Sequence, residues 1–141
     1  MGGPLPSLFY MKLNIDNNDL ANVKTPISIG YANYTTATSS TNYLLKYGRI
    51  VCGSIAITYS GGNTLNNIPL IYFGAEASPL AGLTHLLAID TITGSGYVLV
   101  LEYNAATNNC ILRGASHACN NSNYFVSGHA IRIIGSWVTA N

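Results

Sequence analysis

The segment YVLVLEY (Tyr97–Tyr103) decides the fold of this chain. Successive side chains of a β-strand point to opposite faces, and both faces of this segment are largely apolar, one with tyrosine and leucine, the other with valine and a single glutamate. An antiparallel strand with one solvated face would alternate apolar with polar residues, so we expect this strand to be covered on both sides. In a small domain the second cover comes from loops or from another copy of the chain.

The last apolar segment, AIRIIGSWV (Ala130–Val138), repeats the pattern. Its two isoleucines at 131 and 133 share a face with Trp137, and the opposite face is again largely apolar. The pattern predicts a homo-oligomer; the alternative is a monomer with one central strand pair buried on both sides. If the Tyr97 and Trp137 faces fill the core, the residues expected at or near subunit contacts are Val98, Val100, Ile134 and Val138.

Other β-prone segments flank these two, at residues 8–15, 26–29, 49–59, 69–73, 84–92, 110–113 and 124–126. Turn residues separate them, and no helical period of useful length occurs; the one weak helical candidate, 75–87, is interrupted by Pro79 and Gly82. Gly53 breaks an apolar strand face, which indicates a bulge or a close neighbour. The spacing predicts an all-β fold, an antiparallel β-sandwich, jelly roll or barrel.

The length of 141 residues fits one domain with an attached arm. Residues 34–43 are polar and β-prone without apolar periodicity, so they are either a surface loop or an extended arm lying on a neighbour. We therefore divide the chain into an N-terminal arm with short strands, residues 1–43, and a β-sandwich domain, residues 44–141. The arm is expected to serve as an attachment or inter-subunit segment.

Charge is scarce: charged residues make up 8% of the chain, against about a quarter in ordinary domains, while apolar residues make up 48%. The net charge is +1 and the basic residues are scattered, which disfavours nucleic acid as a partner. Every apolar run is shorter than the roughly 20 residues of a membrane-spanning helix, so we expect no membrane insertion. The first residues also lack the pattern of a secretory signal.

The acids, histidines and cysteines match no common catalytic or metal-binding pattern. Glu76 with Asp90 is the best carboxylate pair for a glycosidase, but no motif supports it. The spacing of Cys110, His117 and Cys119 matches no common zinc pattern. Neither a nucleophile elbow nor a phosphate-binding loop occurs. The chain is therefore predicted to be no enzyme and to hold neither a cofactor nor a metal.

The three cysteines, Cys52, Cys110 and Cys119, form an odd set without a C-x-x-C pair. We interpret them as small buried hydrophobic residues, because free cysteine is among the most buried residue types. The alternative is a disulfide between Cys110 and Cys119 across a hairpin.

Neutral polar and aromatic residues are concentrated in the predicted turns. Amides hydrogen-bond hydroxyl groups, and a tyrosine ring offers an apolar platform, so such loops suit saccharide recognition. The alternative interpretation is ordinary turn chemistry. The candidate ligand-binding residues are Tyr59, Asn63, Tyr72, Asn108, Asn109, Asn120, Asn123 and Tyr124.

Three short stretches carry a family resemblance: YGRIV at 47–51, IPL at 68–70 and YFVSG at 124–128. From Tyr47 onward the chain resembles the C-terminal receptor-binding (head) domain of phage tail-fibre and baseplate appendage proteins. Many such domains carry a Gly-aromatic-Arg-Pro segment where this chain has IYFGAEASP at 71–79, so no binding residue is carried over.

This resemblance implies a trimeric β-sandwich at a fibre end, assembled in the host cytoplasm and incorporated into the virion. It would bind a host-surface saccharide or protein without cleaving it. Two other functions stay open: a capsid-decoration or head-fibre protein that contacts other virion proteins through residues 4–11, and a surface-polysaccharide hydrolase.

Overall fold

The computed structural model describes residues 24–38, 42–61, 67–114 and 125–141. The strands are β1 (Lys24–Pro26), β2 (Ile29–Tyr31), β3 (Thr35–Ala37), β4 (Tyr43–Tyr47), β5 (Ile50–Tyr59), β6 (Pro69–Gly74), β7 (Leu83–Asp90), β8 (Gly96–Asn104), β9 (Asn109–Gly114), β10 (Ala130–Ile134) and β11 (Trp137–Val138). The only helical element in these ranges is a single 3-10 turn, Ala75–Ala77. The predicted all-β class is confirmed, and all the strand pairings found are antiparallel.

The strands form one curled sheet, a half-barrel, in the order β1-β4-β5-β10-β7-β8-β9-β6-β2. Strand β5 pairs with four other strands: β4 and β3 lie along one of its edges, and β11 and β10 lie along the other. The side chain of Asn42 fills the gap between β3 and β4: it accepts the N–H of Ala56 at 2.8 Å and donates to the carbonyl of Ala56 at 2.9 Å. An amide side chain here acts as a substitute for a strand peptide.

Residues 29–38 bridge the two ends of the curl. Their first half pairs with β6, and Ala32 donates to the carbonyl of Leu70 at 3.0 Å. Their second half pairs with β5, and Ser60 donates to the carbonyl of Tyr34 at 2.9 Å. One continuous segment of chain therefore covers edges of the sheet that would otherwise expose unpaired backbone groups.

The concave inner face of the sheet holds the core. Leu99 and Leu101 of β8 are fully buried, as are Ile131 of β10 and Leu112 of β9. Trp137 closes one end by packing near Phe73 and donating its indole N–H to the carbonyl of Ala77 at 2.8 Å. The Tyr97 and Trp137 faces thus point inward, and the opposite faces of β7, β8, β9 and β10 form the outer face.

Gly53 has the close neighbour that its position in β5 predicts. A Cβ atom on this residue would collide with the carbonyl oxygen of Tyr43 and would come within 2.8 Å of the Leu44 side chain. Glycine therefore lets β4 approach β5 closely at the point where β5 passes from one part of the sheet to the next.

The weak helical candidate at 75–87 forms one 3-10 turn followed by β7, and Pro79 and Gly82, which interrupt it in the sequence, form a turn. Three local predictions are wrong. The strand predicted at 26–29 is divided, since Pro26 ends β1 and Ile29 begins β2. Residues 125 and 126 lie outside any strand, since Phe125 turns inward between aromatic rings. The strand predicted at 130–138 is divided at Gly135, whose φ of 154° ends β10 before β11 resumes beside β5.

Several predicted features lie outside the described residues, namely residues 1–23 of the arm, Asn63, Cys119, Asn120, Asn123 and Tyr124. The described part of the arm, residues 24–38 with 42 and 43, contributes β1, β2, β3 and the first residue of β4 to the same sheet as the rest of the chain. Residues 35–37 are strand β3, paired with β5 of the same chain. This part of the polar 34–43 segment is thus neither a loop nor an arm on a neighbour.

Candidate functional site

A surface cleft of ≈ 200 Å³ opens where the bridging segment crosses from β6 to β5. We call it the tyrosine cleft; it is lined by Ala32, Asn33, Tyr34, Tyr59, Ile68, Pro69 and Tyr72. Three separate parts of the chain supply its tyrosines: the bridge, the end of β5 and the middle of β6. Every one of these lining residues is uncharged.

A tight turn presents Tyr34 to solvent. The N–H of Thr35 donates to the carbonyl of Ala32 at 3.1 Å, and Tyr34 takes a left-handed φ of 64°. The residue is 65% exposed, so the fold leaves much of its surface open to solvent. Non-glycine residues seldom adopt this backbone region, so the turn deserves a functional interpretation as well as a structural one.

Tyr59 forms the floor of the cleft. Its side chain is only 2% exposed, and its ring meets Phe125 edge-on at 6.2 Å between centroids. Gly61 lies against its hydroxyl so closely that a Cβ atom there would clash. Burial, with a smaller contribution from Tyr34, raises the pKa of Tyr59 above its ordinary value. The phenol therefore stays protonated and keeps its capacity to donate a hydrogen bond.

A register shift in β6 places two further walls of the cleft. The ladder between β6 and β9 is irregular between Pro69 and Ile71, so that Pro69 lies opposite Arg113 and Tyr72 opposite Ile111. Directly opposed residues of an antiparallel pair share a face, and Arg113 and Ile111 are both on the outer face of β9. The bulge thus brings Pro69 and Tyr72 to the same outward side, although three positions separate them.

Two of the candidate ligand-binding residues, Tyr59 and Tyr72, meet in this cleft. Asn108 and Asn109 lie instead in the hairpin between β8 and β9, where Asn108 accepts the Tyr103 hydroxyl at 2.8 Å and Asn109 accepts that of Thr107 at 2.5 Å. Their amides perform turn chemistry in the chain itself, and neither residue lines the tyrosine cleft.

Sequence reasoning missed Asn33 and Tyr34. They fall in the polar stretch before β3, which the sequence analysis interprets as a loop or an arm and not as a binding segment. Their place in the site follows from the pairing of residues 29–38 with both β6 and β5, which joins positions some 26 and 38 residues apart along the chain. The asparagine–tyrosine pair next to a strand was the one available signal.

The four residues predicted at subunit contacts lie in different surroundings. Ile134 and Val138 are 44% and 45% exposed on the outer face, Val98 is half-buried, and Val100 is buried within the single chain at 7% exposure. Ile134 pairs with Leu87, and Leu87 pairs with Val98. Ile134, Leu87 and Val98 therefore form a continuous line across β10, β7 and β8, which we call the apolar row.

A second polar centre lies at the far end of β7. The carboxylate of Asp90 is fully buried; it accepts the N–H groups of Ile92 and Thr93 at 2.8 and 3.0 Å and meets Nδ1 of His129 at 2.7 Å. Burial opposes its ionisation, but the hydrogen bonds from Thr93, His129 and Ile92 outweigh this effect, and the pKa of Asp90 is lowered. The charge stabilises the turn that follows β7.

This centre has part of the geometry of a hydrolase, a buried aspartate that orients a histidine through Nδ1. A nucleophile would have to lie within hydrogen-bonding distance of Nε2. Among the residues the structure describes, His129 makes only the side-chain bond to Asp90, and its backbone N–H donates to the Val126 carbonyl at 3.1 Å. In these residues the arrangement is that of a structural pair.

The described cysteines are free thiols, with Cys52 half-buried and Cys110 fully buried. Burial, and to a lesser extent the charge of Glu76, raises the pKa of Cys110 to about 11. The interpretation of Cys110 as a small buried hydrophobic residue is thereby confirmed. In the four described ranges, no group of three or more histidine, cysteine or acidic side chains is placed to hold a metal ion.

Comparisons with protein-family models, with curated proteins and with solved structures found no match to this chain. Within the described residues, no helix is long and apolar enough to span a membrane.

Proposed function

We propose that this chain is a non-enzymatic binding module that recognises a neutral saccharide in the tyrosine cleft. One observation carries the proposal: three tyrosines from distant parts of the chain converge on one uncharged concavity, and the most exposed of them is held in a left-handed turn. A core has no need of this arrangement, because the exposed ring of Tyr34 contributes little buried area.

The chemistry of the cleft suits a sugar. The apolar C–H face of a pyranose packs on a phenol ring, while hydroxyl groups exchange hydrogen bonds with phenol and amide groups. Tyr34 and Tyr72 supply rings, Asn33 supplies an amide, and the protonated phenol of Tyr59 lies beneath them. Since no charged residue lines the cleft, a neutral ligand fits better than an acidic one.

The positions of the carboxylates favour binding without cleavage. A glycosidase needs two carboxyl groups within about 10 Å. Glu76 follows the end of β6, near the Asn104 end of β8, whereas Asp90 lies near its Gly96 end. Eight residues of strand separate these ends, about 26 Å at roughly 3.3 Å per residue. Asp90 is also fully buried and bonded to His129.

We further propose that the module is a homotrimer of sandwich or jelly-roll type that forms the tip of a phage tail fibre in the virion and attaches to host-surface glycan. The low content of charge and the exposed apolar row support a surface covered by other copies of the chain. Light scattering is expected to give about 45 kDa, three times the chain mass of 15.0 kDa. A mass of one chain would contradict this part of the proposal.

A glycan array with the whole chain tests the binding function. We expect neutral glycans to bind and Tyr34→Ala to abolish their signals, with no shortened glycan recovered after incubation. The matched control is Tyr43→Ala, because Tyr43 is also half-exposed but lies outside the cleft. Equal loss of binding in both variants, or binding confined to acidic glycans, would overturn the assignment; glycan turnover would overturn the non-enzymatic function.

A further inference from the structure

A second concavity of ≈ 200 Å³ lies beside the tyrosine cleft. We call it the polar pocket; it is lined by Glu102, Tyr103, Asn104, Ala105, Ile111 and Arg113. Strands β8 and β9 form its base, and the hairpin that joins them begins at its rim.

The two concavities are neighbours on one face of the sheet. Tyr72 and Pro69 of the tyrosine cleft lie directly opposite Ile111 and Arg113 of the polar pocket. Opposed side chains in an antiparallel pair share a face, with Cβ atoms about 5 Å apart. Adjacent strands are separated by about 4.8 Å. A ligand that leaves the cleft across β6 therefore enters the pocket directly.

The polar pocket offers fixed hydrogen-bonding groups. Arg113 donates to Glu102 at 2.5 Å and to Asn67 at 2.7 Å, which holds the Glu102 carboxylate in place. The Glu102 side chain is 45% exposed, and its Oε1 atom accepts no hydrogen bond from a described residue. Because Arg113 balances the charge, the pocket presents a hydroxyl acceptor without a net charge.

We infer that the tyrosine cleft and the polar pocket are successive subsites of one groove for a neutral oligosaccharide. The first sugar unit stacks on the tyrosines, and the next unit crosses β6 and donates a hydroxyl to Glu102. This inference rests on the proposed saccharide-binding function and specifies the ligand as an oligosaccharide of at least two units. Such a ligand binds more tightly than a single sugar.

Calorimetric titration with methyl glycosides of glucose, galactose, mannose and N-acetylglucosamine, and with their di- and trisaccharides, tests the inference. We expect the di- and trisaccharides of a bound sugar to bind more tightly than its monosaccharide. Glu102→Ala should lower the affinity for the longer ligands about tenfold, the typical effect of a hydrogen bond to a charged group, and leave the monosaccharide unchanged. Glu76→Ala is the matched control, since Glu76 is exposed and lies outside both concavities.

Asn104→Ala provides a second variant in the polar pocket; because the Asn104 side chain accepts the N–H of Ala106 at 3.0 Å, its melting temperature is measured together with its affinity. If monosaccharides bind through Tyr72 but neither chain length nor the two pocket variants change the affinity, the groove is refuted and the proposed function survives. If Glu102→Ala weakens monosaccharide and trisaccharide equally, the groove is likewise refuted. If no glycoside binds the unaltered chain, the proposed function and the groove both fail.

Discussion

The two faces of the sheet have different chemistry. On the inner face, Leu99, Leu101 and the carboxylate of Asp90 are all fully buried, and this carboxylate has its hydrogen bonds satisfied within the chain. On the outer side, Tyr34 and Glu102 retain exposed surface that the fold itself does not use. From this difference we expect inner substitutions to change stability, and outer substitutions to change the binding and assembly proposed above.

The largest expected effect is on the inner face. Leu101→Ala should lower the free energy of unfolding by about 2–5 kcal/mol, because it removes a fully buried side chain and leaves a cavity. Urea denaturation measures this value. The control is Leu83→Ala at a site 41% exposed on β7, for which a change within about 0.5 kcal/mol is expected. Similar losses in both variants would remove the distinction between the faces.

A smaller loss is expected when the buried charge is removed. Asp90→Asn should cost about 1–3 kcal/mol at pH 7, since the carboxylate accepts three hydrogen bonds that the amide cannot all replace. The folded pKa of Asp90 is lowered. Its stabilisation is therefore present above the unfolded pKa of about 3.9 and is lost as the pH falls through the folded value.

Melting temperatures measured between neutral and acid pH distinguish the stabilisation by the buried Asp90 charge from that by an exposed charge. The unaltered chain should lose stability below about pH 4, and Asp90→Asn should lose less over the same range. Glu102→Gln is the comparison, because the exposed Glu102–Arg113 ion pair is expected to contribute at most about 1 kcal/mol. An acid profile of Asp90→Asn identical to that of the unaltered chain would contradict the role given to Asp90.

The smallest change in stability is expected in the apolar row, where assembly should respond instead. Ile134→Lys places a charge between strands at a site 44% exposed and should convert a trimer of about 45 kDa to single chains of 15.0 kDa. Ile92→Lys is the control, as Ile92 is 68% exposed in the turn after β7 and outside the row. An unchanged mass by light scattering for Ile134→Lys would exclude the apolar row as a contact.

The sequence predicted the inner face well and the site only in part. The period of two divided Tyr97–Tyr103 and Ala130–Val138 into two largely apolar sets of side chains each, and the sets that contain Leu99 and Ile131 are the ones that fill the core. Tyr34 could not be found in this way, because its exposed position depends on a left-handed turn. Tyrosine rarely occupies such a turn, so the sequence does not predict it. A period-two pattern likewise does not predict the irregularity in β6 that brings Pro69 and Tyr72 to the same side of the sheet.

Tyr59 and Tyr72 were identified as candidate residues because they lie at the end of a predicted strand and inside another, near turn-forming sequence. Their convergence came from long-range pairing. The curl of the sheet brings β5 and β6 to the same bridging segment, and strand order is not encoded in any local stretch. Local patterns therefore specified the strands, whereas pairing of distant segments created the cleft.

Amide chemical-shift mapping tests the central claim most directly, because it locates a bound sugar on the intact chain. The titrant is the tightest-binding methyl glycoside among the four named above. We predict shifts at Asn33, Tyr34 and Tyr72, no shifts at the inner-face residues Leu99 and Ile131, and loss of the shifts in Tyr72→Ala at an unchanged melting temperature. Shifts confined to the hairpin at 105–108, or shifts that persist in Tyr72→Ala, would contradict the assignment of saccharide binding to the tyrosine cleft.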